Sequence, residues 1–411
     1  MTLTEVAHGT LAGLAEINGT GRDASRGGYS RHIWQPAELE LREWFIERAV
    51  RLGLDVETDR NGNIWAWWGA PGSNAVVTGS HLDSVPGGGA YDGPLGVISA
   101  LDAIARLQST GFTPRRPCAI LVFAEEEGSR FGVACLGSRL LTGAISPERA
   151  RGLTDGDGIR FDAAAAGAGL DPAHIGRDSE ALERIGLFIE LHVEQGRGLI
   201  DLGEPVAVAS SILAHGRWQL RFTGEGNHAG ATPMDGRRDP MIAAARATVA
   251  IRDAARAREG SYAQGSRATV GRIDAIPGGT NVIASTVTAT LDVRAETDEE
   301  TRALVSDIEA LAADAATKEN CAVLVTEESW SSVVHLDPEL RSQVASTLGG
   351  IPTLSTGAGH DAGVLASVVP SAMLFVRNPT GISHSPDEFA ELDDCLAGVT
   401  ALESVLRELL Q

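Results

Sequence analysis

Short runs of consecutive apolar residues recur along the chain, and each runs into glycines or into acidic and imidazole side chains. Ala75-Val76-Val77 leads into a glycine-rich stretch carrying His81, Asp83 and Asp92, and Cys118 to Ala124 leads directly into Glu125-Glu126-Glu127-Gly128. Leu187 to Leu191 is interrupted by Glu190 and ends in His192-Val193-Glu194-Gln195-Gly196, and Ala372 to Val376 is followed by Gly381-Ile382-Ser383-His384. Runs this apolar suit strands of a sheet buried on both faces, as parallel strands are. Between them, apolar residues spaced by three and four predict helices over Pro36 to Leu52, Val97 to Leu107 and Leu392 to Leu410. Asn61-Gly62-Asn63 separates two short strand patterns, 54–58 and 64–68, and predicts a hairpin. The stretch 151–181 is rich in small residues and reads as an irregular excursion with a short helix near Phe161 to Leu170.

From Ser211 to about Glu328 the pattern changes. Strands at Arg217 to Thr223, Arg267 to Ile273, Ser285 to Val293 and Ala322 to Thr326 alternate with helices at Pro240 to Ala257 and Asp298 to Ala315. The order βαββαβ is that of a ferredoxin-like sandwich. The expected fold class is therefore α/β, a doubly wound, mainly parallel sheet built from 1–211 and 329–411, with a ferredoxin-like domain at 212–328 inserted as a unit.

Length supports that division, since 411 residues exceed one ordinary core. The balance of 34 basic against 55 acidic residues gives a net charge of -21, which opposes binding to nucleic-acid phosphates or to anionic lipid. Any anionic substrate would need its own local arginine. Cys118, Cys135, Cys321 and Cys395 form no Cys-x-x-Cys pair, which argues against a disulfide framework and fits a reducing, cytoplasmic setting. Met1 to Leu14 lacks the basic start and apolar stretch of a secretory leader, and no run approaches the roughly 18 apolar residues of a membrane span.

His81, Asp92, Glu127, His192 and His384 all lie at or just after the ends of apolar strands. In a doubly wound sheet those ends share one edge. Three imidazoles and two carboxylates are too few for two closed four-ligand metal sites, but they suffice for two open ones if a carboxylate bridges. Open sites imply bound water and catalysis, with a remaining carboxylate free to take a proton.

The motifs Gly-Ser-His-Leu-Asp-Ser-Val, Gly-Ala-Tyr-Asp-Gly, Glu-Glu-Glu-Gly-Ser-Arg-Phe, Leu-His-Val-Glu-Gln-Gly, Asn-His-Ala-Gly-Ala-Thr-Pro-Met, Gly-Ala-Gly-His-Asp-Ala and Gly-Ile-Ser-His-Ser-Pro occur in that order. Together they resemble the hydantoinase/carbamoylase branch of the di-metal amidohydrolase and peptidase family. The resemblance implies two divalent ions per subunit, of Zn, Mn, Co or Ni. Asp92 would bridge them through a cis peptide to Gly93, His81 and His192 would complete one site, and Glu127 and His384 the other. Asp83 would orient His81, and Glu126 would be the general base. Alternation in an ideal strand puts Glu126 on the face opposite Glu125 and Glu127, so this role requires the chain to turn there. The plain reading of Glu125 is a structural acid.

In the inserted domain the resemblance implies that His228 stabilises the developing oxyanion and that Asn281 and Arg294 bind substrate. Gln195 would contact a ureido group. It also implies a homodimer formed through that domain, and leaves open which subunit's metals His228 and Asn281 serve. His192, where the peptidase relatives carry an acid, marks the branch. The implied reaction is hydrolysis of a ureido C–N bond in a small ureido acid, with N-carbamoyl-L-α-amino acids and allantoate as the candidates. Ala214-His215-Gly216-Arg217 departs from the Gly-Gln-Arg-Arg common in allantoate enzymes and leaves the particular acid open. A metallopeptidase or N-acyl amino acid deacylase could use the same metals. A non-catalytic metal or amino-acid binding protein would leave Glu126 and His228 without a role.

Overall fold

The computed structural model describes residues 6–7, 10–258 and 265–411. They fall into two compact units, Met1–Ser210 with His335–Gln411, and Ser211–Val334. Among the described residues no helix is long and apolar enough to cross a membrane.

Four parallel strands form the centre of the first unit, in the spatial order Cys118–Phe123, Ala75–His81, Ile185–Val193 and Ser371–Val376. Nearly every residue in them is buried, which is why their sequences are continuous apolar runs rather than alternating ones. The hairpin Asp55–Thr58 and Ile64–Trp68 extends the sheet antiparallel beyond Cys118–Phe123. On the other side Val206 to Val208 runs antiparallel to Ser371–Val376. Helices Pro36–Arg51, Pro94–Ser109 and Leu392–Leu409 bury Leu41, Ile98 and Leu402 against Val76, Ile120, Ile189 and Leu374. Each such side chain contributes about 1.5–3 kcal/mol relative to an exposed one.

The centre of the sheet tolerates no side chain at Gly79. Its φ is +152°, and a Cβ there would overlap the carbonyl oxygen of Leu121 on the adjacent strand. Helix Pro94–Ser109 starts two residues after Asp92, with proline in its first turn where a missing N–H costs nothing.

The second unit is a four-stranded antiparallel sheet in the order Arg267–Ile276, Thr286–Ala295, Ala214–Thr223 and Ala322–Ser331. This is the ferredoxin-like arrangement of a βαββαβ chain. Val287, Ala289, Leu291 and Val293 alternate inward against helices Pro240–Ala257 and Asp298–Lys318. Thr288, Thr290, Asp292 and Arg294 point to the opposite face. Asn227–His228 and Val282–Ile283 form a separate two-stranded ladder.

Candidate metal centre

The carboxyl ends of the four parallel strands gather a dense set of buried ionisable groups. His81 closes its strand and His192 lies one residue from the end of its own. His81 Nδ1 is 3.1 Å from the Asp83 carbonyl oxygen, and His192 Nδ1 is 2.9 Å from that of Val193. A carbonyl only accepts, so each Nδ1 carries a proton and each Nε2 is the atom turned to the site, where an ion would take its lone pair in place of a second proton.

Those lone pairs converge. The two Nε2 atoms are 3.5 Å apart, and Asp92 Oδ1 lies 3.6 Å from that of His81 and 3.2 Å from that of His192. The other carboxylate oxygen, Asp92 Oδ2, is 3.5 Å from His384 Nε2, which is 3.4 Å from Glu127 Oε2. Most of these gaps are too long for good hydrogen bonds. They match the edge of a ligand tetrahedron around an ion bound at about 2.1 Å, which is roughly 3.4 Å. His81, His192 and Asp92 thus fit one ion, Glu127, His384 and Asp92 a second, with Asp92 common to both.

The electrostatics agree with that fit. Burial pushes the His81 imidazole down, but Glu126, Asp92 and Asp83 outweigh it and hold the ring well above its usual range. Burial pushes Asp92 up, and His192 and His81 overcome it and hold the carboxyl well below. Glu127 is driven well above the carboxylate range by burial and then by Asp92. Acids packed this closely can ionise together only around cations.

Asp92 reaches its position without the expected cis peptide. Ile276–Pro277 is the one cis bond among the described residues, so Asp92–Gly93 is trans. The turn is made instead by Gly93, whose φ of 82° and ψ of -59° lie in a γ-turn region that glycine tolerates. A Cβ on Gly93 would come within 2.5 Å of the His81 ring.

The three glutamates have three different surroundings. Glu125 has a φ of 55°, in the left-handed region, and this breaks the strand alternation. Its Oε1 accepts the N–H groups of Arg130 and Phe131 at 2.8 and 2.7 Å, the contacts of a structural acid. Burial and the nearby Asp83 raise its pKa to about 8. Because the chain turns there, Glu126 and Glu127 both reach the site. Glu126 Oε2 is 3.7 Å from His81 Nε2, while Glu127 Oε1 accepts the Val85 N–H at 3.3 Å. Burial, then the Asp361 and Glu127 carboxylates, push Glu126 well above the usual range against the pull of His81. Asp83 secures the turn itself, since its two oxygens accept the N–H groups of Glu126 and Glu127 at 3.2 and 3.0 Å. Its oxygen is 3.7 Å from His81 Nδ1, so it acts on the glutamate backbone more directly than on the imidazole.

Gln195 lies in the same site. Its Nε2 donates to Asp92 Oδ2 at 3.0 Å and to Ser383 Oγ at 3.1 Å, while its Oε1 is buried without a partner among the described residues. Sequence reasoning passed over Glu388. Its Oε1 accepts the N–H groups of Tyr91 and Asp92 at 3.1 and 3.0 Å, and its Oε2 the Ser383 hydroxyl at 3.1 Å, so it fixes the loop that carries Asp92. The only cue was an acid four residues after His384.

In the second unit, His228 and Asn281 are neighbours, with the Ala229 N–H donating to the Asn281 carbonyl at 2.9 Å. His228 Nδ1 accepts from the N–H groups of Gly230 and Ala231, both at 3.1 Å. The ring is exposed, and its proton therefore sits on Nε2, which is left as a donor. Arg294 lies elsewhere on the unit, with its Nε and Nη2 on the two oxygens of Asp292 at 2.7 and 3.1 Å.

The profile of Peptidase family M20/M25/M40 matches residues 77–408, a span holding every residue described in the metal centre. The chain belongs to this family. Among its relatives, an N-carbamoyl-L-amino acid amidohydrolase of Geobacillus stearothermophilus is 36% identical over 407 residues, covering 97% of each chain. An allantoate amidohydrolase of Bacillus subtilis is 31% identical over 382 residues, covering 92% of this chain and 90% of the other. A hydantoinase/carbamoylase family amidase from Burkholderia multivorans superposes with a TM-score of 0.84 at 28% identity, covering 97% and 96% of the two chains. This M20 chain thus resembles the amidohydrolase branch along nearly its whole length.

Proposed function

We propose that the chain is a metal-dependent amidohydrolase that cleaves the ureido C–N bond of a small acid, an N-carbamoyl-L-amino acid or an allantoate-type ureido acid. Water is consumed, and ammonia is released, with carbon dioxide from carbamoyl substrates. The observation that carries the reading is the pair of histidine and carboxylate groups sharing Asp92. Two divalent ions held by His81, His192, Asp92, Glu127 and His384 would acidify a water and polarise the attacked carbonyl.

The remaining steps belong to side chains. Glu126, whose Oε2 faces His81, takes the proton of the attacking water and returns it to the leaving nitrogen. The unpartnered Gln195 oxygen accepts from the ureido NH2. His228 donates its Nε2 proton to the developing oxyanion, beside Asn281. Arg294 receives the substrate carboxylate, sharing its planar fork with Asp292.

The function is tested by ammonia release from a panel of N-carbamoyl-L-amino acids, allantoate and dipeptides. Turnover of dipeptides alone would make the chain a peptidase, and binding without any turnover would make it a binding protein. In the same panel, Arg294→Ala is expected to weaken substrates bearing an α-carboxylate by about 2–5 kcal/mol in kcat/KM. An equal loss for a carboxylate-free carbamoyl analogue would assign Arg294 a structural role.

We also infer a homodimer in which active sites are shared. Arg294 lies eight residues along its strand from Thr286, the end near Val282 and His228, which is about 27 Å at the antiparallel rise of about 3.4 Å per residue. A substrate only a few atoms long cannot touch both ends of one such unit, but it can touch one end from each of two copies. Exposed Met241, Ile242 and Val249 on helix Pro240–Ala257 offer an apolar face to a second copy. Mixing the inactive variants Glu126→Gln and His228→Ala under subunit exchange should therefore restore activity, because one mixed site then carries neither defect. No recovery in verified heterodimers would mean that each chain supplies its own His228.

A further inference from the structure

Cys135 is 124–126's neighbour in space rather than in sequence. It has a φ of 54°, a left-handed conformation that glycine would adopt without strain. Its N–H donates to the Glu126 carbonyl at 2.6 Å, and the next two N–H groups, of Leu136 and Gly137, donate to the carbonyls of Glu125 and Ala124 at 3.0 and 2.8 Å. The start of the Leu136–Thr142 helix thereby holds the backbone of Ala124, Glu125 and Glu126. The buried Cys135 thiol lies 3.1 Å from Glu126 Oε1, the oxygen of that carboxylate turned away from His81. Burial pushes the thiol well above its usual range, so it is a donor rather than a thiolate.

We propose that Cys135 is a positioning residue for the general base, its S–H holding Glu126 Oε1 so that Oε2 is the oxygen presented to the attacking water. The inference rests on the assignment of Glu126 as base. A carboxylate can rotate about its last bond, and a donor on one oxygen removes that freedom. A thiol is a weak donor. It therefore orients the carboxylate while drawing little of the electron density that proton abstraction needs.

Two variants at the same backbone position separate this role from space filling. Cys135→Ala removes the donor, and kcat is expected to fall about tenfold, the upper end of one ordinary net hydrogen bond, with KM and metal content unchanged. Cys135→Ser keeps a donor and is expected to return kcat to within about threefold of wild type. If the side chain only fills space, the polar serine will be no better than alanine, and that result overturns the proposal. Wild-type kcat in Cys135→Ala overturns it as well. Full activity of metal-loaded Glu126→Gln would instead defeat the assignment of the base, so the two failures are distinct. A measurement on the metal-free protein needs no turnover. The infrared S–H stretch lost in Cys135→Ala should lie at lower frequency in wild type than in Glu126→Ala, and an identical frequency in both would show that the thiol makes no such bond.

Discussion

Replacing Glu126 by Gln is expected to lower kcat by about 10² or more while the protein keeps its bound metal. Among the described residues, neither Glu126 oxygen belongs to a three-ligand group. The groups proposed to hold metal beside it, His81, Asp92 and Glu127, keep their own anchors, because the loop is held by Asp83 through main-chain N–H groups that the substitution leaves in place. Glutamine is nearly isosteric and can still accept from Cys135. What it cannot do is take a proton. Elemental analysis alongside kcat checks the expectation, and near wild-type turnover with full metal would move the role elsewhere. Glu125 is then a weak substitute, since both neighbouring N–H groups are already committed to it.

Chelation is expected to abolish turnover, and added divalent metal to restore it. Full activity of a protein shown to contain no metal would defeat the reading. Removing the ions also leaves a cluster of acids facing one another, and the effect on stability has a definite sign. Glu125, at about 8, and Glu388, raised to about 7 by burial and by Asp92, sit above the roughly 4.3 of an unfolded glutamate. Between those limits the folded state binds more protons than the unfolded one, so stability falls as pH rises. His81, whose folded pKa is also raised, adds to the same trend above about 6.5. The metal-free protein should therefore melt at a lower temperature at pH 8 than at pH 5.5. In the metal-loaded protein the ions replace those protons and the difference should shrink or reverse. A melting temperature of the metal-free form that rises over this range would show that the acids are not confined as described.

The sheet was legible in the sequence because burial on both faces leaves continuous apolar runs, and the gathering of His81, Asp92, Glu127, His192 and His384 because the ends of parallel strands share one edge. The inserted unit was legible from its alternating strand at Thr286–Ala295 and two helical periods, although the strands run two to five residues further than the pattern indicated. The two faces of Glu125-Glu126-Glu127 were not, since they depend on one left-handed residue that no periodicity reports. Glu388 and Cys135 were missed for a different reason. Each acts through a contact made only in the folded chain, in the case of Glu388 with residues 296 positions away. The expected cis bond at Asp92 failed because Gly93 supplies the same change of direction through its own φ.

The place of Ser371–Val376 in the middle of the sheet bears on how the chain is made. This strand lies between Ile185–Val193, which bears His192, and the Val206 to Val208 segment, yet it is synthesised only after the whole inserted unit that follows them. The inserted unit, which has its own core, is complete by Val334 and can fold as it emerges. The first unit cannot. Until residue 376 has left the ribosome, the strand carrying His192 presents an unpaired edge, the kind of surface on which nascent chains aggregate. His384 follows eight residues later. Closure of this edge and arrival of His384 thus fall close together, and both come only after the inserted unit has been made.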